Sequence, residues 1–239
     1  MALRFFITGT DTDIGKTVAS AQLIRGFAQM GYKTIGMKPV ASGCERSNDI
    51  LLNVDVASHC RASNISAPLD LINPYRFVPA ISPHLAARDA NVEIHISHLV
   101  DCAEQLSNLA EVVIIEGAGG WYAPISDQNT IADLATALAA PVIMVVGMRL
   151  GCLNHAQLTI DAIEQRGLIV AGWIANCIDP AFDRYEDNLA YLKKHISAPL
   201  LAELAYDEGA VNFALNASAI ELLTANLAIN QPIIAESHI

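Results

Sequence analysis

The sequence predicts an α/β fold, a doubly wound, mostly parallel sheet flanked by helices. Three observations carry this. Apolar, β-rich runs recur along the chain with helical stretches between them. Those runs do not alternate in polarity, as expected of strands covered on both faces. Charged residues are only 16% of the chain against 53% apolar, which favours a buried sheet over a solvated helical bundle.

Taken in order, Leu3 to Thr8 reads as a first strand, followed by a helix that runs to about Met30. Lys33 to Met37 is a second strand, Glu111 to Glu116 a third and Pro141 to Gly147 a fourth. Leu168 to Asn176 is a fifth, and Pro199 to Leu204 a short sixth. Helices are expected over Val54 to Cys60, Ser97 to Leu109, Thr130 to Ala139, Asn154 to Arg166 and Phe182 to His195. Ser63 to Asn91 holds four prolines and reads as an irregular excursion over the domain edge. No repeat or linker divides the 239 residues, so residues 1–239 are expected to form one domain, with the tail 225–239 unassigned.

The formal charge of −11 argues against nucleic acid or an anionic membrane as a partner. The five cysteines form no C-x-x-C pair and read as reduced thiols of a cytoplasmic protein. The apolar start is too short for a signal peptide, and no run reaches the ~18 apolar residues of a membrane span.

The first strand runs into GTDTDIGKT, Gly9 to Thr17. Gly15, Lys16 and Thr17 end it as a phosphate loop ends: close backbone approach, a lysine for the outer phosphates and a hydroxyl for Mg²⁺. The usual spacing asks for glycine at position 10, where this chain has Thr10, and Asp11 and Asp13 add two acids. A chance G-K-T in a strand-to-helix turn is the competing reading. The strand VVIIE then delivers Glu116 at its end, followed by Gly117, Ala118, Gly119 and Gly120, as a metal-holding acid would be delivered. An incidental acid in a capping turn would look the same.

Lys38 and Ser42, in MKPVASG, also fall at a strand end, where ligands bind in such sheets. Asp55, in NVDVA, suits a ligand or simply the dipole of its helix. In GMRLGCLNHA, Gly151 precedes a helix that Asn154 is placed to cap, either to bind a carboxylate or as a plain cap. His155 beside it reads as a packed helix residue.

With GTDTDIGKT, KPVASG, EGAGGW, GMRLGCLNHA and GWIAN in this order, the chain resembles the dethiobiotin synthetase family, a P-loop NTPase-like group. The resemblance covers roughly Met1 to Pro199. It implies ATP-dependent closure of 7,8-diaminononanoate (diaminopelargonate) and CO₂ to dethiobiotin, through a carbamate and a carbamic-phosphoric anhydride, with release of ADP and phosphate. This is the penultimate step of biotin synthesis.

Transferred by position, the resemblance gives Lys38, Thr12 and Lys16 catalytic roles. It implies ATP contacts for Asp13, Ile14, Gly15, Lys16, Thr17, Val18, Asp55, Glu116, Gly117, Ala118, Gly119, Asn176 and Cys177, with Asn176 reading the adenine. Mg²⁺ falls to Thr17, Asp55 and Glu116. The substrate falls to Thr12, Lys38, Ser42 and Gly119, and its carboxylate to Gly151, Cys152 and Asn154 of a partner subunit in a homodimer. Leu204-Ala205-Tyr206 departs from the family's adenine-contacting loop, which often carries proline. Two other readings compete. A ParA/MinD-like positioning ATPase would carry a second loop lysine where this chain has Asp11, and a cobyrinate-synthetase-like module would add a glutaminase domain.

Overall fold

The computed structural model describes residues 2–47, 50–206 and 214–230. Its central sheet holds six parallel strands. β1 (Leu3–Gly9) leads through the phosphate loop into α1 (Lys16–Gln29) and then β2 (Thr34–Met37). β3 (Val40–Ala41), the hairpin of β4 (Glu45–Ser47) and β5 (Ile50–Leu52), and the expected helix α2 (Val54–Ala62) follow. The proline-rich excursion then opens with α3 (Leu69–Ile72). It closes with β6 (Tyr75–Arg76), which pairs with β3, and α4 (Pro83–Asp89). Ser63 to Asn91, read as irregular, thus carries two short helices and a two-residue strand.

After α5 (Ile96–Ser107) come β7 (Val112–Glu116), α6 (Ile131–Leu138), β8 (Val142–Met148) and α7 (Cys152–Gln165). The chain continues through β9 (Val170–Cys177), α8 (Tyr185–His195), β10 (Leu200–Leu204) and α9 (Ala217–Asn230). The strand order is β10-β9-β8-β1-β7-β2. All six strands expected from the sequence are present, with ends shifted by one or two residues.

The two faces of the sheet explain the unbroken apolar runs. Successive side chains of a strand point to opposite faces. Phe5, Ile7, Val112 and Ile114 share one core with Leu23, Ile24 and Phe27 of α1. Phe6, Val113 and Ile115 enter the other, with Leu99 and Leu106 of α5 and Leu134 of α6. Phe5 stacks on Phe27 with ring centroids 5.6 Å apart, and each such buried side chain contributes ~1.5–3 kcal/mol. By the same alternation Glu116, two residues beyond Ile114, emerges on the α1 face at the end of its strand.

One expectation needs correction: Asn154 does not cap α7. Gly151 occupies that position at φ 95°, and the helix starts at Cys152, which leaves Asn154 exposed within its first turn. The chain toward its end, where no element was assigned, is helical: α9 covers Ala217–Asn230 and so enters the tail, and Ala219, Ile220 and Leu223 pack into the α1 core. Residues 231–239 of the tail lie outside the described residues.

Candidate active site

A cleft of about 780 Å³ opens over the carboxyl ends of β1, β2 and β7. The phosphate loop forms one wall. Asp13 (φ 54°) and Gly15 (φ 85°) are both left-handed, so the loop's N–H groups gather at the start of α1. Ile14 is buried and anchors the loop from below. Lys16 is 6% exposed, and its Nζ donates to the Asp11 carbonyl oxygen at 2.8 Å. Burial, and next the charge of Lys38, push the Lys16 ammonium down to about 8.

The opposite wall is a charge cluster around Glu116, which is 1% exposed. Lys38 Nζ lies 2.6 Å from Glu116 Oε1 and 2.9 Å from Asp55 Oδ2. The Thr17 hydroxyl donates to Glu116 Oε1 at 2.9 Å. His59 Nε2 stands 2.7 Å from Glu116 Oε2. Burial opposes the charge on both Lys38 and Glu116, yet each overrides it for the other. Glu116 and Asp55 hold the Lys38 ammonium above its ordinary range, and Lys38 with His59 holds Glu116 well below the carboxylate range.

Local sequence sets up these positions. Lys38 leaves the end of β2, and Asn73 Nδ2 donates to its carbonyl oxygen at 2.6 Å. Asn53 caps α2 by accepting from Asp55 N–H at 2.8 Å, while its own amide donates to the Ser42 carbonyl oxygen at 2.9 Å. One asparagine thus ties Asp55 to the Lys38–Ser42 segment. The Ser42 hydroxyl is buried with no hydrogen-bond partner among the described residues, and Ser42 lines the cleft. That is an uncommitted polar group on the cleft wall.

The structure brings together Thr12, Asp13, Ile14, Gly15, Lys16, Thr17, Lys38, Ser42, Asp55, Glu116, Ala118 and Gly119 as lining of this cleft. Gly117 borders it through its carbonyl oxygen, 3.4 Å from Lys38 Nζ. Val18, Asn176 and Cys177 lie outside it. Asn176 is 8% exposed and spends its amide on the Ile14 carbonyl oxygen at 2.9 Å, directly behind Gly15. Gly151, Cys152 and Asn154 also lie outside the cleft, at the turn after β8. Two groups escaped the sequence reading, His59 and the ion pair of Asp11 with Arg149. The one sequence cue for His59 was its place four residues after Asp55, on the same helix face.

A strand, phosphate loop and helix beside a second strand that ends in an acid define a P-loop nucleotide-binding protein. A family model described as an AAA domain matches residues 4–212. Among solved structures the fold is similar to MinD cell division protein from Aquifex aeolicus, with TM-score 0.54 and 17% identity over 97% of this chain and 99% of that one. It is also similar to a ParA family ATPase from Chlorobium tepidum TLS, with TM-score 0.52 and 14% identity over 96% and 93%. Identities this low speak for the fold alone.

The sequence relatives are more specific. An ATP-dependent dethiobiotin synthetase of Pseudomonas aeruginosa strain UCBPP-PA14 is 44% identical over 89% of this chain and 94% of the relative. One from Salmonella typhi is 46% identical over 86% and 90%. The chain belongs to the dethiobiotin synthetase family, and so to the ATP-dependent ligases.

Proposed function

We propose that this chain closes diaminopelargonate and CO₂ into the cyclic urea of dethiobiotin at the cleft between the phosphate loop and the Lys38–Glu116 cluster. The observation that carries the reading is the convergence of Lys16, Thr17, Lys38, Asp55 and Glu116 on one cleft whose remaining wall offers the uncommitted Ser42 hydroxyl. One amine takes up CO₂ as a carbamate, whose oxygen attacks the γ-phosphorus while ADP leaves. The second amine then attacks the carbamoyl carbon and expels phosphate.

The chain's part is electrostatic, because a carbamate and a triphosphate are both anions. Lys16 neutralises the outer phosphates from the loop. Lys38 and the Thr12 hydroxyl meet the carbamate, and Ser42 orients the diamine. The residues also fit Mg²⁺. Asp55 and Glu116 already hold one cation, the Lys38 ammonium, between two carboxylates, with the Thr17 hydroxyl on the same Glu116 oxygen, and Mg²⁺ takes one or two carboxylates plus phosphate oxygens. Bound there, Mg²⁺ would supply charge neutralisation between the phosphates. With Asp55 and Glu116 holding the ion, Lys38 would be free to meet the substrate.

Residues 1–239 act as one synthetase domain in this reading, and a second copy supplies Gly151, Cys152 and Asn154 to the substrate carboxylate. That these residues lie outside their own chain's cleft supports the assignment. Among the described residues no helix is long and apolar enough to cross a membrane. A positioning-ATPase reading fits less well, since Asp11 is an acid paired with Arg149 where that class carries its second lysine. The test is ADP release with diaminopelargonate and bicarbonate each omitted in turn. Release that requires both is expected, and release that ignores the diamine would sink the reading.

A further inference from the structure

His59 is the one fully buried imidazole in the described chain, at 0% exposure, and it sits beneath the cleft without reaching it. Its place is built from two sides. β2 carries glycine at position 36, where an added Cβ would stand 2.8 Å from His59 Cβ and 2.9 Å from its Cγ. No other residue type leaves room for the ring against the strand. Ser63 then ties the end of α2 to β2: its hydroxyl donates to the His59 carbonyl oxygen at 2.8 Å and accepts from Gly36 N–H at 3.1 Å.

The ring so held meets Glu116 Oε2 with Nε2 at 2.7 Å. With Lys38 Nζ 2.6 Å from its other oxygen, Glu116 is one half of an ion pair and a carboxylate accepts only, so the contact is a hydrogen bond in the tautomer that carries the hydrogen on Nε2. The other oxygen, Oε1, is shared by Thr17 and Lys38. A buried carboxylate with one oxygen gripped from below cannot turn about its last torsion without losing that bond. Nδ1 has no hydrogen-bond partner among the described residues, so the Nε2 contact is the ring's one polar attachment.

We infer that His59 is a positioning residue for the synthetase reaction: by fixing Glu116 Oε2 from beneath the cleft, it aims Oε1 at the Thr17 hydroxyl and at whatever cation stands there. The inference rests on the proposed role of Glu116 as a metal-holding acid and adds a residue to it. It makes His59 an outer-shell partner of the site, the kind whose loss costs ~10–100-fold in metal affinity or activity.

Three variants test it. In His59→Gln the amide nitrogen lies as many bonds from Cβ as Nε2 does, so the donor is kept. In His59→Asn the same amide falls short, and His59→Leu has no donor. Two readouts are taken on the full-length protein: the Mg²⁺ concentration that half-saturates ADP binding, and kcat against KM for ATP. Asn and Leu are expected to need ~10-fold more Mg²⁺ and to lose ~10-fold in kcat with little change in KM, while Gln stays near the parent. Thermal unfolding of each variant shows that it is folded, and the Gln–Asn pair decides the matter should Leu fail to fold. Equal behaviour of Gln and Asn, or of all three and the parent, overturns the inference. If ADP binding to the parent is indifferent to Mg²⁺, the metal reading fails separately, and the kcat ordering alone then judges His59.

Discussion

Asp11 and Arg149 form an ion pair that fastens the phosphate loop to the turn after β8. Asp11 also accepts from Thr12 N–H at 2.8 Å through its other carboxylate oxygen, and gives its carbonyl oxygen to Lys16. The acid that looks out of place in a triphosphate site is thus a neutralised brace. Arg149→Ala should leave that charge exposed to the phosphates and weaken ATP binding by ~3–10-fold, whereas Asp11→Asn in the same chain should restore most of it. Both side chains are more than 40% exposed, so their coupling in stability should be below about 1 kcal/mol. Calorimetric titration of the two single variants and the double variant measures this. A double variant no better than Arg149→Ala would refute the brace.

Gly15 is required twice over, by conformation and by space. Its φ is 85°, and a Cβ there would stand 2.1 Å from Asn176 Nδ2. Gly167 has a similar φ of 72° and nothing within 4 Å. Gly167→Ala should therefore cost only backbone strain, about 1 kcal/mol, with ATP affinity intact. Gly15→Ala should cost more than this in urea unfolding and lose ATP affinity ~10-fold or more. Equal losses of affinity in the two variants would show that the crowding against Asn176 does not matter.

Lys38 has a structural role in addition to its proposed chemical one. Removing it leaves Glu116 buried without its counter-charge, a change that typically costs about 3–5 kcal/mol. Lys38→Gln is expected to show that loss in nucleotide-free unfolding, and turnover should fall by ~10²-fold. Added Mg²⁺ should stabilise the variant more than the parent, since the oxygens around the missing ammonium are then free to take the ion. If Mg²⁺ raises both melting temperatures equally, Thr17, Asp55 and Glu116 do not share a cation.

Composite sites across a two-fold axis make a further prediction. Suppose Lys38→Gln and Asn154→Ala chains are each nearly inactive alone. In a mixed dimer one site inherits both lesions and the other neither. After equal mixing with free exchange about half the dimers are mixed, so activity should return to roughly a quarter of the parent value. No recovery, with exchange verified independently, would confine the site to one chain.

The sheet was legible because its strands, covered on both faces, read as apolar runs ending in chemistry-bearing residues such as Lys38 and Glu116. The short strands between β2 and α5 were not. β3 and β6 are two residues each, and the β4–β5 hairpin has strands of three, too short to show a period. α9 hid for the opposite reason, since apolar residues lie on most of its circumference and leave no stripe. Asn176 shows what a motif does not carry: its amide donates to the Ile14 carbonyl oxygen, 162 residues away in the chain. His59 escaped for the same reason, as its partner Glu116 stands 57 residues further on, across a strand junction that no local pattern reveals.

In the strand order, β7 is inserted between β1 and β2, which precede it in the chain. Thr17 and Lys38 therefore meet through Glu116, 99 and 78 residues downstream. A nascent or refolding chain that has made only β1, α1 and β2 has a phosphate loop and a lysine, but nothing that joins them. Closing loops of that length comes at the entropic summit of folding, before the contacts that reward it. Nucleotide binding is thus a property of the far side of the barrier. ATP should slow unfolding while leaving the refolding rate nearly unchanged, so the ligand acts as a kinetic latch on the finished molecule and not as a template for building it.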